Sequence, residues 1–138
     1  MRYQRLTHRF VTHIPRVLEP GVLYISIEFA TAAHSCCCGC GEEVVTPLTP
    51  TDWRLIFDGE TISLWPSIGN WSFACRSHYL IERSEVVPAL PWSDQRIAYA
   101  RFKEKLAKAR YYRMDASAEM DHGELTSAPN EDTGFPMR

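Results

Sequence analysis

The segment His34-Ser-Cys-Cys-Cys-Gly-Cys-Gly41 is the most informative part of this chain, and 34 residues after Gly41 a second segment follows, Cys75-Arg-Ser-His78. Together they contain all five cysteines of the chain and two of its five histidines. Thiolates and imidazoles are the side chains that bind zinc or iron most tightly, and a structural tetrahedral site takes four of them. The two stretches therefore predict a metal site that staples two parts of the chain together.

The spacing favours two ligands from each stretch, which are Cys38, Cys40, Cys75 and His78. Side chains alternate along an extended backbone, so Cys36 shares a side with Cys38 and is the substitute ligand, while Cys37 points away. A competing register uses Cys37 and Cys40 as a C-x-x-C-G knuckle and leaves Cys36 and Cys38 outside. Both registers remain open from the sequence.

The cysteine count also bears on the redox compartment. Five is an odd number, three of the cysteines are consecutive, and residues 1–16 contain no apolar run of the kind found in signal peptides. These features argue against a disulfide framework. They predict reduced thiols and a cytoplasmic protein.

Length and charge bound the organisation of the chain. It has 138 residues, of which 45% are hydrophobic, enough for one domain over residues 1–113. Residues 114–138 carry six acidic residues against one basic residue and few large apolar ones, which predicts a flexible acidic tail. No apolar run approaches the ~20 residues that span a bilayer, so no membrane partner is expected.

Residues 1–90 consist of short β-type segments separated by turn residues. Alternation is clearest over residues 22–29, and Asp58-Gly59 is a hairpin turn. Further strands are predicted over residues 43–48, 53–57, 61–65 and 78–82. The pattern predicts an α+β fold, a small mainly β domain stapled by the Cys/His metal site, with one C-terminal helix and the acidic tail.

The predicted helix covers about residues 94–113, with Ser93 or Asp94 as the N-cap. Tyr99, Phe102 and Leu106 recur at helical spacing, and the other faces are basic. A basic face is typical of a solvated helix and favours its C-terminus, so nucleic acid is an unlikely partner.

A candidate nucleophile lies between the two metal half-sites, in Leu64-Trp-Pro-Ser-Ile-Gly-Asn-Trp71. We interpret this segment as a loop in which Ser67 attacks a carbonyl and Asn70 or loop amides stabilise the oxyanion. With His78 assigned to the metal, His34 is the candidate base and Glu28 the residue that orients it. A turn closed by Ser67 and Asn70, with a solvent-facing Glu28, is the simpler structural interpretation.

The motifs together resemble a bacterial family. They are Pro20-Gly-Val-Leu-Tyr24, the cysteine run, Ser63-Leu-Trp-Pro-Ser-Ile-Gly-Asn-Trp71 and Cys75-Arg-Ser-His-Tyr79, with Val45-Thr-Pro-Leu-Thr-Pro-Thr-Asp-Trp53 between them. The resemblance, over about residues 18–88, is to the BubE peptidases encoded beside bacterial ubiquitin-like proteins and their E1-like and E2-like enzymes. It implies cleavage of a ubiquitin-like protein's C-terminal extension, or its release from conjugates. The family's metal and Pro-Ser-Ile motifs fall on Cys36, Cys38, Cys40, Cys75 and His78, and on Pro66, Ser67 and Ile68.

Two peptidase mechanisms fit these residues. In the preferred one, Ser67 is the nucleophile, His34 the base and zinc a structural staple. In the other, the metal activates water and Glu28 is the general base. Two further classes stay open: a Rieske-like iron–sulfur electron carrier and a zinc-stapled interaction module without catalysis.

Overall fold

The computed structural model describes the backbone of residues 1–120 and the side chains of residues 1–114. The chain divides into two compact units, Met1–Pro91 and a second unit that begins at Trp92. The predicted α+β class, mainly β with one C-terminal helix, is confirmed. The single domain over residues 1–113 stays a prediction, and most of the predicted acidic tail, residues 121–138, lies outside the described residues.

The first unit contains two four-stranded sheets. One has the order β1-β2-β3-β4, and its strands are β1 (Thr7–Phe10), β2 (Val22–Ser26), β3 (Thr31–Ser35) and β4 (Glu43–Pro47). Only β1 and β2 are parallel. The other sheet has the order β5-β6-β7-β8, all antiparallel, with β5 (Arg54–Phe57), β6 (Ile62–Gly69), β7 (His78–Glu82) and β8 (Glu85–Pro88). Large apolar side chains from both sheets form one buried core.

The best predicted strand is shorter than expected. β2 ends at Ser26, because the Ser26 hydroxyl donates to the Thr12 carbonyl (2.7 Å) and accepts from the Phe29 amide (3.2 Å). Such side-chain bonds compete with the strand ladder and begin a turn. Ile27 and Phe29 consequently lie in that turn and are exposed, instead of facing the core.

The predicted hairpin between β5 and β6 is confirmed. The Asp58 carboxylate accepts from the amides of Glu60 and Thr61, and Gly59 has a φ of 101°, which is costly for any other residue. Strands β1, β3 and β8 are absent from the sequence-based prediction.

β6 continues beyond its predicted end at residue 65. Leu64 pairs with Ile81 and Ile68 pairs with Tyr79. Between these two pairs, β6 has three residues and β7 has one. The irregularity contains Pro66, which has no N–H to donate to the ladder. Ser67 therefore lies on a bulged strand, and the interpretation of residues 64–71 as a loop is wrong up to Gly69.

The second unit contains α1 (Asp94–Met120), which begins as expected and extends seven residues past Arg113. Ser93 is its N-cap, since its hydroxyl accepts from the Arg96 amide at 3.1 Å. The side chains of Tyr99, Phe102 and Leu106 are exposed by 63%, 59% and 49%, so the predicted apolar stripe does not form a buried face. Within residues 1–120, the helix is too polar to cross a membrane.

Candidate active site and metal centre

Four cysteine sulfur atoms converge in the first unit. Cys36 follows the end of β3, Cys38 and Cys40 lie in the turn after it, and Cys75 lies in the loop between β6 and β7. All four Sγ atoms are within 4.8 Å of one another, with Cys36–Cys38 at 3.5 Å and Cys36–Cys75 and Cys40–Cys75 at 3.8 Å. Four thiolates at about 2.3 Å from one tetrahedral ion would be about 3.8 Å apart. The cluster has the dimensions of a single four-coordinate metal ion.

Glycine allows the turn that gathers these cysteines. Gly39 and Gly41 have φ angles of 92° and 87°, a region that L side chains rarely adopt. The Gly39 amide donates to the Cys36 carbonyl at 3.0 Å, which closes the turn. A Cβ at Gly39 would also lie 2.7 Å from the Arg2 side chain.

The environment of Cys75 favours its thiolate form. Burial opposes ionisation, but hydrogen bonds from Ser77 and from the thiols of Cys38 and Cys40 outweigh it and lower the pKa of Cys75 to about 7. The thiolate is the form that binds metal.

The candidate ligand set differs from the one favoured by the spacing. The substitute, Cys36, takes the fourth position, and His78 is not in the cluster. Cys37 lies in the buried core, where burial raises the pKa of its thiol to about 12. The knuckle register that pairs Cys37 with Cys40 is therefore not the one that the structure adopts.

Replacing Cys37 with alanine is expected to leave the bound metal at wild-type stoichiometry, because its thiol points into the core. The cavity should cost about 1 kcal/mol of unfolding free energy. The neighbouring Cys36→Ala variant is the matched control and should lose metal. Elemental analysis and denaturant unfolding measure both effects, and equal metal loss in the two variants would contradict the ligand set.

His78 faces Ser67. It opens β7 opposite Gly69, and its Nε2 atom lies 3.0 Å from the Ser67 hydroxyl oxygen. Ser67 and His78 are 1% and 5% exposed, and the Trp71 ring lies 4.9 Å from the imidazole, centroid to centroid. The structure thus forms a buried serine–histidine pair.

A main-chain carbonyl fixes the tautomer of His78. Its Nδ1 atom lies 2.7 Å from the Leu90 carbonyl oxygen, which only accepts, so Nδ1 must carry the proton and donate. Nε2 is then the acceptor for the Ser67 hydroxyl. A base whose other nitrogen is held by an acceptor is the arrangement that activates a serine nucleophile.

The other predicted catalytic residues lie elsewhere. His34 Nε2 is 2.7 Å from the Tyr79 hydroxyl, its Nδ1 has no hydrogen-bond partner among the described residues, and burial lowers the pKa of His34 to about 4. The proposed His34–Ser67 contact is therefore wrong. Glu28 is exposed in the turn between β2 and β3. It therefore does not lie on a strand that leads to His34.

Asn70 also has a different environment from the one predicted. Its amide nitrogen donates to the Ser77 hydroxyl at 2.9 Å and lies 3.8 Å from Cys36 Sγ. Ser77 Oγ is in turn 3.2 Å from Cys36 Sγ. The backbone N–H of Asn70 donates to the backbone carbonyl of Ser77. Asn70 therefore links its own segment to the thiol cluster through Ser77, the residue that precedes His78.

The Ser67–His78 pair follows from the strand register rather than from the sequence alone. Residues two apart on a strand lie on the same face of the sheet, so Ser67 and Gly69 share a face. A residue directly opposite Gly69 on the neighbouring strand lies on that face too. The Cys75-x-x-His78 spacing instead suggested a metal pair. Nothing in the sequence indicated the Leu90 carbonyl, because any residue carries one.

The fold and site define a class: small β proteins with a tetrathiolate cluster and a serine–histidine pair held by a main-chain acceptor. A family model described as bacterial ubiquitination-like system serine protease (BubE) matches residues 10–89, which is 80 of the 138 residues and includes the four cysteines, Ser67 and His78. The chain belongs to this family. No curated protein and no solved structure matches it.

Proposed function

We propose that this protein is a serine peptidase that processes or deconjugates a bacterial ubiquitin-like protein, with a structural zinc ion. The observation that carries the proposal is the 3.0 Å contact from Ser67 Oγ to His78 Nε2, with His78 Nδ1 held by the Leu90 carbonyl. The family description supports the substrate class. The E1-like and E2-like enzymes of such a system are further proposed partners.

In the proposed mechanism, Ser67 Oγ attacks the scissile carbonyl while its proton moves to His78 Nε2. The Leu90 carbonyl holds the imidazolium through the Nδ1 proton, and Nε2 then protonates the leaving amine. A water molecule next gives a proton to Nε2 and attacks the acyl group, and the proton returns to Ser67 as the acid leaves. A neutral carbonyl stabilises the imidazolium less than a carboxylate would.

The four thiolates favour a structural rather than a catalytic ion. A catalytic zinc keeps an open position for water, whereas this cluster supplies four protein ligands. The Rieske-like alternative needs two histidines on one iron, and no histidine joins the cluster among the described residues. A multi-iron cluster would also need its thiolates farther apart, because the cluster occupies the space between them.

We also propose a cytoplasmic location. The five described cysteines are all free, and reduced thiols persist in a reducing compartment.

Covalent labelling tests the nucleophile. A fluorophosphonate reagent is expected to modify Ser67 of the full chain, as read by mass spectrometry, because the base at 3.0 Å raises its nucleophilicity. The Ser67→Ala variant should not react. Ser63→Ala is the matched control, since Ser63 lies on the same strand and its hydroxyl accepts from the Arg83 amide, and it should react like the wild type.

A Ser67 that stays unlabelled both in the isolated protein and in the presence of a ubiquitin-like protein would contradict the serine mechanism. Cleavage of a ubiquitin-like protein with a C-terminal extension then tests the substrate. If Ser67 is labelled but the protein cleaves neither the extension nor the conjugates, the proposed substrate class is wrong while the serine nucleophile stands. Metal analysis separates zinc from iron, and iron with visible absorption would support electron transfer instead.

A further inference from the structure

A small cleft opens beside the serine–histidine pair. It has a volume of about 200 Å³ and lies between β4 and the last residues of β6. Most of the residues that line it have apolar side chains, among them Val44, Val45, Trp53, Trp71 and Phe73, and Gly69 also lines it. The proposed mechanism does not use this space.

One wall of the cleft presents unpaired backbone groups of β4. The Cys36 amide donates to the Glu42 carbonyl, and hydrogen-bonded pairs alternate along an antiparallel ladder. The pair of His34 with Val44 is therefore the next hydrogen-bonded one, and Val45 directs its N–H and C=O away from β3. β4 is the last strand of its sheet, so these groups face outward.

The opposite wall presents unpaired backbone groups of β6. The Asn70 amide donates to the Ser77 carbonyl at 2.8 Å, so the neighbouring pair, Gly69 with His78, is not hydrogen-bonded. Gly69 thus directs its N–H and C=O away from β7. No strand meets them there, because β5 begins at Arg54 opposite Trp65. Among residues 1–114, none of the backbone hydrogen bonds outside the regular ladders reaches these groups of Gly69 or Val45.

The cleft is continuous with the candidate active site. Gly69 is two residues from Ser67 on the same strand and opposite His78. Trp71 lines the cleft and contacts the His78 ring. At the other end, the Trp53 indole N–H donates to the Pro66 carbonyl, next to Ser67.

We propose that this cleft binds the substrate as an extended peptide that pairs with the free edges of β6 and β4 and carries small apolar side chains next to the scissile bond. The inference rests on the proposed function and names the substrate class. Free edges bind extended peptides through main-chain hydrogen bonds. The volume is below the roughly 300–1,000 Å³ of typical ligand pockets, and aromatic rings wall it, so bulky side chains do not fit.

Peptide binding to the full chain in the Ser67→Ala background tests the cleft without hydrolysis. The probes are fluorescein-labelled peptides that differ at two adjacent positions, Ala-Gly in one and Leu-Phe in the other, read by fluorescence anisotropy. The small-residue peptide should bind at least about tenfold more tightly. Adding Val45→Arg should weaken its binding at least about tenfold, because the arginine fills the cleft.

The controls separate the cleft from the fold and from the chemistry. Val87→Arg alters a similarly exposed valine on another strand, β8, and should leave binding unchanged. Val45→Pro removes the outward N–H, a change that an edge strand tolerates, and should also weaken binding. Equal affinity for both peptides, or unchanged affinity in both Val45 variants, would overturn the inference. Fluorophosphonate labelling of the protein with Ser67 intact tests the nucleophile and not the cleft. A failure of the serine mechanism can therefore be distinguished from a failure of the cleft proposal.

Discussion

Replacing His78 with alanine is expected to lower kcat/KM for peptide cleavage by about 10⁴-fold or more, the loss typical when a serine hydrolase loses its base. The reason is geometric, since Nε2 of His78 lies 3.0 Å from the Ser67 hydroxyl and the Leu90 carbonyl sets the tautomer of the ring. Steady-state cleavage assays measure the loss. Ser67→Ala should lose about as much, and the double variant little more, because the two residues act as a unit.

His34 provides the control for this result. His34→Gln retains a polar group for the Tyr79 hydroxyl and should keep kcat/KM within about tenfold of the wild type below its melting temperature. A loss in His34→Gln as large as that in His78→Ala would restore His34 as the base. A fully active His78→Ala would refute the serine–histidine mechanism.

Removing the metal is expected to lower the melting temperature by about 20 °C or more, or to abolish cooperative unfolding. Structural zinc contributes about 10 kcal/mol or more to the folding of small domains, and each kcal/mol shifts the melting temperature of a 60–100-residue domain by about 4–8 °C. The cluster joins the two sheets, since Cys36 follows β3 and Cys75 precedes β7. Chelation followed by calorimetry measures the effect.

Cys75→Ser should reproduce the loss of stability without a chelator, because one thiolate of four is removed. Adding zinc back should restore the chelated wild type and not this variant. An unchanged melting temperature in both samples would show that the thiols pack as small apolar groups and that metal has no structural role.

The sequence was most informative where local chemistry dominates. The hairpin at Asp58-Gly59 and the N-cap at Ser93 follow from short-range preferences and were predictable. So was the convergence of the cysteine run with Cys75, since thiolates with turn glycines have few other uses. β2 was predicted too long, because a single hydroxyl, Ser26, ended it.

The catalytic assignment depended on register, which a single sequence leaves undetermined. Cys75 and His78 are three residues apart, and spacing alone groups them as one half-site. The structure separates them because Cys75 lies in the loop while His78 pairs opposite Gly69 at the start of β7. A shift of one residue along β7 would turn His78 to the other face, so the assignment required the pairing itself.

The burial of Ser67 affects how this protein coexists with the other proteins of a cell. Because Ser67 is 1% exposed, its hydroxyl meets a foreign carbonyl only when the residues that bury it move apart. If the open form is about 1% of the population, the apparent specificity constant for every bystander protein falls about 100-fold. A cognate tail that stabilises the open form recovers that factor, and a random surface loop does not. For the proposed peptidase, latency of this kind would limit the cleavage of proteins other than its substrate.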